Sequence, residues 1–338
     1  MVAPSERIPM SGTVRLGRSP VWISQIGVGT MSWSGTEGQG AYGGTRPADE
    51  AAAFRASLDS GVNLFDTMNM YSRGRCEQRV GELARGTDAV IATKFLPSRL
   101  FPPAFPYLPR HLPKLLDAAL TRLGRLTVDL YQLRAFGFLP IKAWMNHLAD
   151  AVESGKVRAV GVSGFNEARL RAAHAALEAR GVPLASIQNQ YSLLDRQPEV
   201  DGVKRACHEL GVTLIAFSPL ALGALSGKYR PENPPKDMMR RRLAGPFRPG
   251  RIASTFKLTQ LMGAIGAPHG KSVAQVALRY LIEQGAVPIP GAKNEAQARD
   301  NAGALTFSLS SSELAELCKA AEGLGANPGA GKPLASTG

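Results

Sequence analysis

Cysteine is scarce in the sequence, and its scarcity excludes two classes of protein. The 338 residues contain only Cys76, Cys207 and Cys318, which lie far apart along the chain. An odd number of widely spaced cysteines excludes a disulfide-stabilised scaffold and a cysteine-rich zinc site. The same usage indicates a reducing compartment.

The sequence also lacks long apolar runs. No run approaches the roughly 20 residues that a membrane-spanning helix needs, so we expect no integral membrane protein. The N-terminal segment carries Arg7, Arg15 and Arg18 against one acid, Glu6, and it has no apolar core of a secretory signal. We therefore predict a cytosolic (cytoplasmic) location, with a plastid as the alternative.

Acidic residues are fewer than basic ones. The chain has 40 Lys and Arg residues against 27 Asp and Glu residues, a formal net charge of +13. This charge suits nucleic acid or a phosphorylated small molecule such as a dinucleotide, or it serves solubility alone. The basic residues are scattered and no nucleic-acid-binding motif accompanies them, so we expect no nucleic-acid partner.

Short β-rich runs alternate with longer helical stretches from residue 26 onward. Eight strands are predicted, at residues 26–30, 64–66, 90–94, 129–133, 159–163, 186–189, 213–217 and 287–290. Helical spacing is found at residues 48–59, 77–83, 112–123, 141–153, 167–179, 202–210, 272–283 and 295–302. The strands lack strict polar alternation, which is typical of a parallel sheet covered on both faces. Eight such units favour an α/β fold, the (β/α)8 TIM barrel, and the G-x-G-x-x-G motif of a doubly wound fold is absent.

The remaining segments complete a single barrel domain over residues 1–325. Residues 13–21 are predicted to form an N-terminal hairpin that could plug the bottom of the barrel. A capping box at Ser310 and Glu313 predicts an extra C-terminal helix at residues 311–324. Long loops are predicted at residues 96–110 and 220–271, and a disordered tail at residues 326–338.

Polar side chains follow the predicted strands at the end where barrel enzymes carry their chemistry. Asp66 ends the second strand, Lys94 ends the third, and Tyr71 lies on the loop after Asp66. A phenol is a weak acid at neutral pH, but a neighbouring lysine lowers its pKa, and an aspartate keeps that lysine charged. Each residue alone also fits a structural role, such as a helix cap, a solvated charge or packing. Together they predict a proton donor for a carbonyl oxygen that gains negative charge.

Several motifs occur in register with this pattern. Residues 61–71 read GVNLFDTMNMY, close to the signature G-V-N-x-F-D-T-A-x-x-Y. Further motifs are TK at 93–94, DLYQL at 129–133, GKVRAVGVS at 155–163, QNQYSLL at 188–194, AFSPL at 216–220, LSGKY at 225–229 and PIPGAK at 288–293. Over residues 14–325 the sequence resembles the aldo-keto reductase superfamily, and most of all its bacterial and plastid-type branch related to potassium-channel β-subunits.

The resemblance implies NADPH-dependent reduction of an aldehyde or ketone. It implies that Asp66 orients Lys94 and that Tyr71 protonates the carbonyl oxygen. It places the nicotinamide carboxamide at Ser163 and Gln188, and the ring against Phe217. The full set of cofactor-binding residues that it implies is Thr30, Met31, Asp66, Ser163, Gln188, Phe217, Ser218, Leu220, Ser226, Lys228, Gly291, Lys293, Gln297 and Asn301, with Lys293 at the 2′-phosphate. The substrate pocket is assigned to Trp33, Phe95 and Phe136, and no metal is implied.

Three positions depart from the family's pattern. Met68 stands where a small residue usually follows Asp66 and Thr67, and it could narrow the site. Arg134 stands where the family has its catalytic histidine, and Gly164 stands where an asparagine usually follows the nicotinamide-binding serine. Channel β-subunits carry asparagine and steroid 5β-reductases carry glutamate at the histidine position, so replacement there accompanies altered function. Arg134 could donate to a developing oxyanion, bind a carboxylate-bearing substrate, or repel Lys94.

Three functions follow as hypotheses. The first is an active NADPH-dependent carbonyl reductase that uses Asp66, Tyr71, Lys94 and Arg134 as catalytic residues, with a small-molecule carbonyl substrate as its partner. The second is a weakly active or inactive NADP(H)-binding sensor, because the catalytic histidine is replaced. The third is a polyanion or membrane-surface binder that uses the basic run at residues 240–242.

Overall fold

Eight parallel strands form the centre of the fold. The computed structural model describes residues 12–34, 44–97, 108–135, 140–236, 245–248 and 250–324. An antiparallel pair, β1 (Thr13–Arg15) and β2 (Trp22–Ser24), comes first. The parallel strands follow as β3 (Gly27–Gly29), β4 (Leu64–Asp66), β5 (Val90–Phe95), β6 (Val128–Arg134), β7 (Val157–Ser163), β8 (Leu184–Gln190), β9 (Thr213–Phe217) and β10 (Ala286–Pro288).

The first and last parallel strands meet, so the sheet closes into a barrel. Each strand from β3 to β10 pairs with its neighbours in chain order. The Gly29 amide donates to the Pro290 carbonyl at 2.9 Å, and Gly29 forms a parallel bridge with Gly291. The predicted (β/α)8 TIM barrel is therefore confirmed.

Helices surround the barrel between the strands. They span Pro47–Asp59, Arg75–Leu83, Leu112–Leu123, Ile141–Glu153, Glu167–Glu178, Gln197–Val200, Val203–Leu210, Ile252–Gly266, Val273–Glu283, Glu295–Ala302 and Ser311–Ala321. Shorter 3-10 turns span Tyr71–Gly74, Pro109–His111, Ala221–Ser226, Gly245–Phe247, Ala267–His269 and Gly303–Leu305. The predicted capping box is present, because the Ser310 hydroxyl accepts from the Glu313 amide and the Glu313 carboxylate accepts from the Ser310 amide.

The prediction of one long loop over residues 220–271 was wrong in part. The helix Ile252–Gly266 lies inside that range and buries Leu258, Met262 and Ile265 against the rest of the fold. Two glycines and two threonines lower the helix propensity of this segment, so its burial rather than its local preference stabilises the helix. The basic run at residues 240–242 and the tail at residues 326–338 lie outside the described residues.

Two apolar layers hold the barrel together. The inner layer joins the inward side chains of the strands, among them Leu64, Ala92, Leu130, Ala159, Ala185, Ile215 and Val287, to Leu16, Val21 and Ile23 of the N-terminal hairpin. The outer layer joins the opposite faces of the same strands to the helices. The Gly17 amide donates to the Thr213 hydroxyl at the start of β9, at 2.7 Å. The hairpin therefore closes the bottom of the barrel and leaves the carboxyl ends of the strands as the mouth.

No helix within the described ranges is both long enough and apolar enough to cross a membrane.

The contact between the helices Arg75–Leu83 and Leu112–Leu123 provides a test of the packing. A Cβ added at Gly81 would overlap the Leu123 carbonyl oxygen, whereas one at Gly263 would lie 3.7 Å from a Val273 methyl. We expect Gly81→Ala to lower the free energy of unfolding by about 1–3 kcal/mol, because the two helices must separate. Gly263→Ala should leave the free energy unchanged or raise it by up to about 1 kcal/mol, because alanine favours a helix. Urea unfolding of both variants tests this, and equal effects would contradict the packing.

Candidate active site

An ion pair lies at the mouth of the barrel, where β4 and β5 end. The Lys94 ammonium lies 2.5 Å from Asp66 Oδ1 and 3.1 Å from the Thr67 carbonyl oxygen. Both charged side chains are almost fully buried, at 2% and 4% exposure. A buried charge is stable only when it is paired and hydrogen-bonded, so each residue requires the other.

The second oxygen of Asp66 is also held. Gln188 Nε2 of β8 donates to Asp66 Oδ2 at 2.8 Å, and Gln132 Nε2 of β6 lies 3.4 Å from the same oxygen. Groups from β5, β6 and β8 therefore converge on the carboxylate that ends β4. This convergence fixes the orientation of Asp66 across the barrel mouth.

Tyr71 is brought to Lys94 by a tight turn after β4. The Lys94 nitrogen lies 5.3 Å from the centre of the Tyr71 ring. Ser72 and Arg73, which follow, have positive φ angles of 48° and 58°. Such backbone strain persists only where the surroundings enforce it, and it is concentrated at functional sites.

The helix after this turn is anchored in the fold through a buried carboxylate. Glu77 accepts from the Thr93 hydroxyl at 2.6 Å and from Arg122 Nε at 2.5 Å. The Cys76 thiol donates to the Trp33 carbonyl at 2.8 Å. Burial raises the pKa of the Cys76 thiol to about 11, so this group acts as a neutral donor. The turn that carries Tyr71 is therefore held from two sides.

The pKa of Tyr71 is shifted in the opposite direction to the prediction, which was that Lys94 would lower it. Burial raises the pKa of Tyr71, and Lys94 opposes that rise without reversing it. Burial lowers the pKa of Lys94, but Asp66 and Tyr71 together outweigh it, and the pKa of Lys94 is raised overall. Tyr71 is therefore a protonated phenol beside a permanent cation, which is a proton donor and not a phenolate.

Arg134, at the end of β6, points to the same region. Its Nη1 donates to the Ser163 hydroxyl at 3.0 Å, and its guanidinium carbon lies 5.2 Å from the centre of the Phe217 ring. Burial lowers the pKa of Arg134, and the nearby Tyr71 and Asp66 oppose this. The structure thus brings together Arg134 with two of the predicted nicotinamide-binding residues, on β7 and β9.

The loop after β9 carries the predicted phosphate-facing residues Ser218, Leu220, Ser226 and Lys228. Ser218, Ala221 and Leu222 all have positive φ angles. The Ser226 hydroxyl donates to the Gly223 carbonyl at 2.7 Å, and Lys228 is exposed. A positive φ is strained for residues other than glycine, so contacts with the rest of the fold must impose the conformation of this loop.

The predicted adenosine-end residues lie together after β10 and hold one another. The Gln297 side-chain oxygen accepts from the Lys293 amide at 2.9 Å, and Asn301 Nδ2 donates to the Gly291 carbonyl at 3.2 Å. Near β3, the Thr30 hydroxyl donates to the Asp66 carbonyl at 2.9 Å. Met31 beside it is 38% exposed.

Two of the three predicted substrate contacts lie in the core. Phe95 is buried and stacks on Tyr131 and Trp144, with ring centres 4.9 Å and 5.4 Å away. Successive side chains of a strand point to opposite faces of the sheet. Since Lys94 points to the mouth, its neighbour Phe95 points to the helices. Trp33 is fully buried, and its indole N–H donates to the Ala292 carbonyl at 2.8 Å. We therefore withdraw Trp33 and Phe95 as substrate contacts; Phe136 lies outside the described residues.

Sequence reasoning assigned no role to two residues of the site, Gln132 and Asn189. Gln132 contacts Asp66, and its own side-chain oxygen is buried with no hydrogen-bond partner in the described part of the chain. Asn189 accepts from the Gly164 amide at 3.0 Å and donates to the Phe165 carbonyl at 2.9 Å, so it holds the loop after β7. Gln132 lies two residues before Arg134 on the same strand, so the two side chains point to the same face of the sheet. That spacing could have identified Gln132 from the sequence.

The buried ion pair can be tested by its effect on stability. We expect Lys94→Met to lower the free energy of unfolding by about 3–5 kcal/mol, because it leaves Asp66 buried without a cation. The double variant Lys94→Met with Asp66→Asn should recover part of this loss. The exposed pair Lys156–Asp117, at 2.6 Å, is the control, and Lys156→Met should cost about 1 kcal/mol or less. Equal losses for the two lysine variants in denaturant unfolding would contradict the assignment.

Comparison with known proteins identifies relatives over nearly the whole chain. The family model described as the aldo/keto reductase family matches residues 25–322. A chloroplastic pyridoxal reductase from Arabidopsis thaliana is 33% identical, over 91% of this chain and 86% of that protein. A glycerol dehydrogenase from Gluconobacter oxydans has a TM-score of 0.80 at 25% identity, covering 92% of this chain and 95% of the other. An aldo-keto reductase from Klebsiella pneumoniae, solved with NADPH, has a TM-score of 0.68 at 26% identity, covering 92% and 95%.

The family match extends over all the elements that build the mouth of the barrel, from β3 to β10. The chain therefore belongs to the aldo/keto reductase family.

Proposed function

We propose that the protein reduces an aldehyde or ketone to an alcohol with NADPH, and that Tyr71 is the proton donor. The observation that carries the proposal is the arrangement of Asp66, Lys94 and Tyr71, with a buried ion pair directly beside a protonated phenol. The relative named pyridoxal reductase and the structure solved with NADPH support it.

The residues at the mouth fit a nicotinamide dinucleotide. Ser32 Oγ, Thr67 Oγ1 and Asn69 Oδ1, on the loops after β3 and β4, are buried polar atoms without a hydrogen-bond partner among the described residues. An unsatisfied buried polar atom is costly unless a ligand or water satisfies it, so a polar ligand at this mouth is expected. The basic side chains Lys228 and Lys293 lie on the two loops assigned to the phosphates.

The chain's own residues account for the proton transfer. When bound, NADPH supplies the hydride that the carbonyl carbon receives. Tyr71 donates its phenolic proton to the carbonyl oxygen as that oxygen gains negative charge. Lys94 stabilises the phenolate that remains, and Asp66 keeps Lys94 charged and fixed in position.

The cofactor contacts need one local rearrangement of hydrogen bonds. Arg134 lies over the ring of Phe217 and bonds Ser163, and Gln188 Nε2 bonds Asp66. We propose that the Ser163 hydroxyl and the Gln188 side-chain oxygen would hold the nicotinamide carboxamide and that Phe217 would hold the ring. Arg134 would then give up its contacts with Ser163 and Phe217 and remain at the mouth as a hydrogen-bond donor to the substrate. NADPH, the remaining cofactor-binding residues and the cytosolic location remain predictions.

The role of Tyr71 is tested by removing its hydroxyl. We expect Tyr71→Phe to lower kcat for aldehyde reduction by about 100- to 10,000-fold, because the general acid is lost. NADPH binding, followed by nicotinamide fluorescence, should persist. Tyr131→Phe is the matched control, since the Tyr131 hydroxyl is buried without a partner in the described residues and should not affect turnover. NADPH binding without turnover in the wild type, with turnover only in Arg134→His, would instead favour the sensor function.

The pH dependence follows from the direction of the Tyr71 pKa. A general acid must be protonated, and burial raises the pKa of Tyr71 above the ordinary value of about 10. We therefore expect kcat/KM for reduction to stay level from neutral pH to about 9 and to fall only as pH rises through the raised pKa. Initial rates measured across this range test it, and a fall with a midpoint near pH 7 or 8 would exclude Tyr71 as the acid.

A further inference from the structure

Arg134 is a partly buried cation that has no acidic partner among the described residues. Its single hydrogen bond among the described residues goes to the Ser163 hydroxyl at 3.0 Å, and no described carboxylate lies within ion-pair distance of it. A guanidinium has five N–H donors, so four of them have no acceptor in the described part of the chain. A partly buried cation without a paired carboxylate favours an anion from outside the chain as its partner.

The charge balance of the mouth leads to the same conclusion. The charge of Lys94 is cancelled by Asp66 at 2.5 Å. Among the described residues of the mouth, Arg134 then leaves one positive charge without a paired carboxylate. The aromatic face of Phe217, 5.2 Å from the guanidinium carbon, does not neutralise this charge.

Gly164 provides the space that the guanidinium occupies. Its φ angle is +72°, and a Cβ added there would already lie 3.8 Å from the guanidinium carbon of Arg134. A side chain as large as asparagine would have to displace the guanidinium or cover it. Two of the positions at which this chain departs from the family's pattern, Arg134 and Gly164, are therefore neighbours in space, and the small residue leaves room for the large one.

We propose that Arg134 is a specificity-determining residue that binds a carboxylate on the carbonyl substrate, and that Gly164 makes this contact accessible. The inference rests on the proposed carbonyl reduction and names its substrate class, carbonyl compounds that also carry a carboxylate. The planar fork of arginine matches the two oxygens of a carboxylate and holds them with two parallel hydrogen bonds. This contact strengthens substrate binding, which lowers KM, and it orients the carbonyl group toward Tyr71.

Matched pairs of substrates test the proposal. The probes are 3- and 4-carboxybenzaldehyde and their methyl esters, which differ in charge and hardly in shape. The 3- and 4-isomers place the carboxylate at different distances from the aldehyde. For the isomer whose distance fits the site, we expect the wild type to have a kcat/KM about 10-fold or more higher for the acid than for its ester, through a lower KM. Arg134→Met should bring the ratio of acid to ester close to one, a fall of about 10-fold, because the carboxylate then has no partner. Arg134→Lys should restore part of the ratio, since it keeps the charge without the fork.

Two control variants separate the local contact from general charge and backbone effects. Arg55 is exposed on the helix Pro47–Asp59, so Arg55→Met removes one positive charge far from the mouth and should leave the ratio unchanged. Gly164→Asn should reduce the ratio even though Arg134 is present. Gly155→Asn is its match, because Gly155 has a φ of +73° and nothing within 4 Å of an added Cβ. Equal effects of the two glycine variants would contradict the role of Gly164.

A binding measurement keeps the inference separate from the proposed reaction. Benzoate is titrated calorimetrically into the full chain saturated with NADP+, as wild type and as Arg134→Met. Binding that weakens about 10-fold or more in the variant supports the carboxylate site even if no aldehyde is turned over, which would overturn the reductase function alone. Turnover of the esters without any preference for the acids, or benzoate binding that is equal in both proteins, overturns the role of Arg134.

Discussion

The carboxylate of Asp66 is the group on which the mouth of the barrel depends. It is buried, so its charge must be compensated by donors, and the donors come from three other strands: Lys94 of β5, Gln188 of β8 and, at a longer distance, Gln132 of β6. A parallel barrel makes this convergence geometrically simple, because the carboxyl ends of all its strands meet on one face. The same set of bonds that stabilises the buried charge also fixes the position of the lysine beside Tyr71.

Alternation along each strand decides which side chains reach this face. Lys94 points into the mouth and its neighbour Phe95 points to the helices, where it stacks on Tyr131 and Trp144. One residue thus contributes to the site while the next contributes to the outer core. The N-terminal hairpin completes the division, because it fills the opposite end of the barrel with Leu16, Val21 and Ile23. The polar groups are thereby confined to one end of a tightly packed apolar interior.

The replacement of histidine by Arg134 changes the character of the site more than its framework. Asp66, Lys94 and Tyr71 keep the arrangement expected of a proton donor, but a second cation, Arg134 of the neighbouring strand β6, lies at the same mouth. A neutral imidazole can serve any carbonyl substrate, whereas a guanidinium favours an anion. Ser163, Phe217 and Gly164 surround the guanidinium in a way that accommodates its size. Function in this chain is therefore expected to differ from that of its relatives in substrate charge and not in the chemical step.

The sequence by itself determined the order of the strands, the barrel and the strand-end positions of Asp66, Lys94 and Arg134, because apolar runs and their spacing are local properties. Only the tertiary structure decided what those residues touch. It showed that Gln132 and Gln188 hold Asp66, that burial outweighs Lys94 in setting the pKa of Tyr71, and that Trp33 is enclosed in the core. It also found a helix at Ile252–Gly266, which long-range burial stabilises against a weak local preference. Such contacts join residues far apart in the chain, and the closure of the barrel is what brings them within bonding distance.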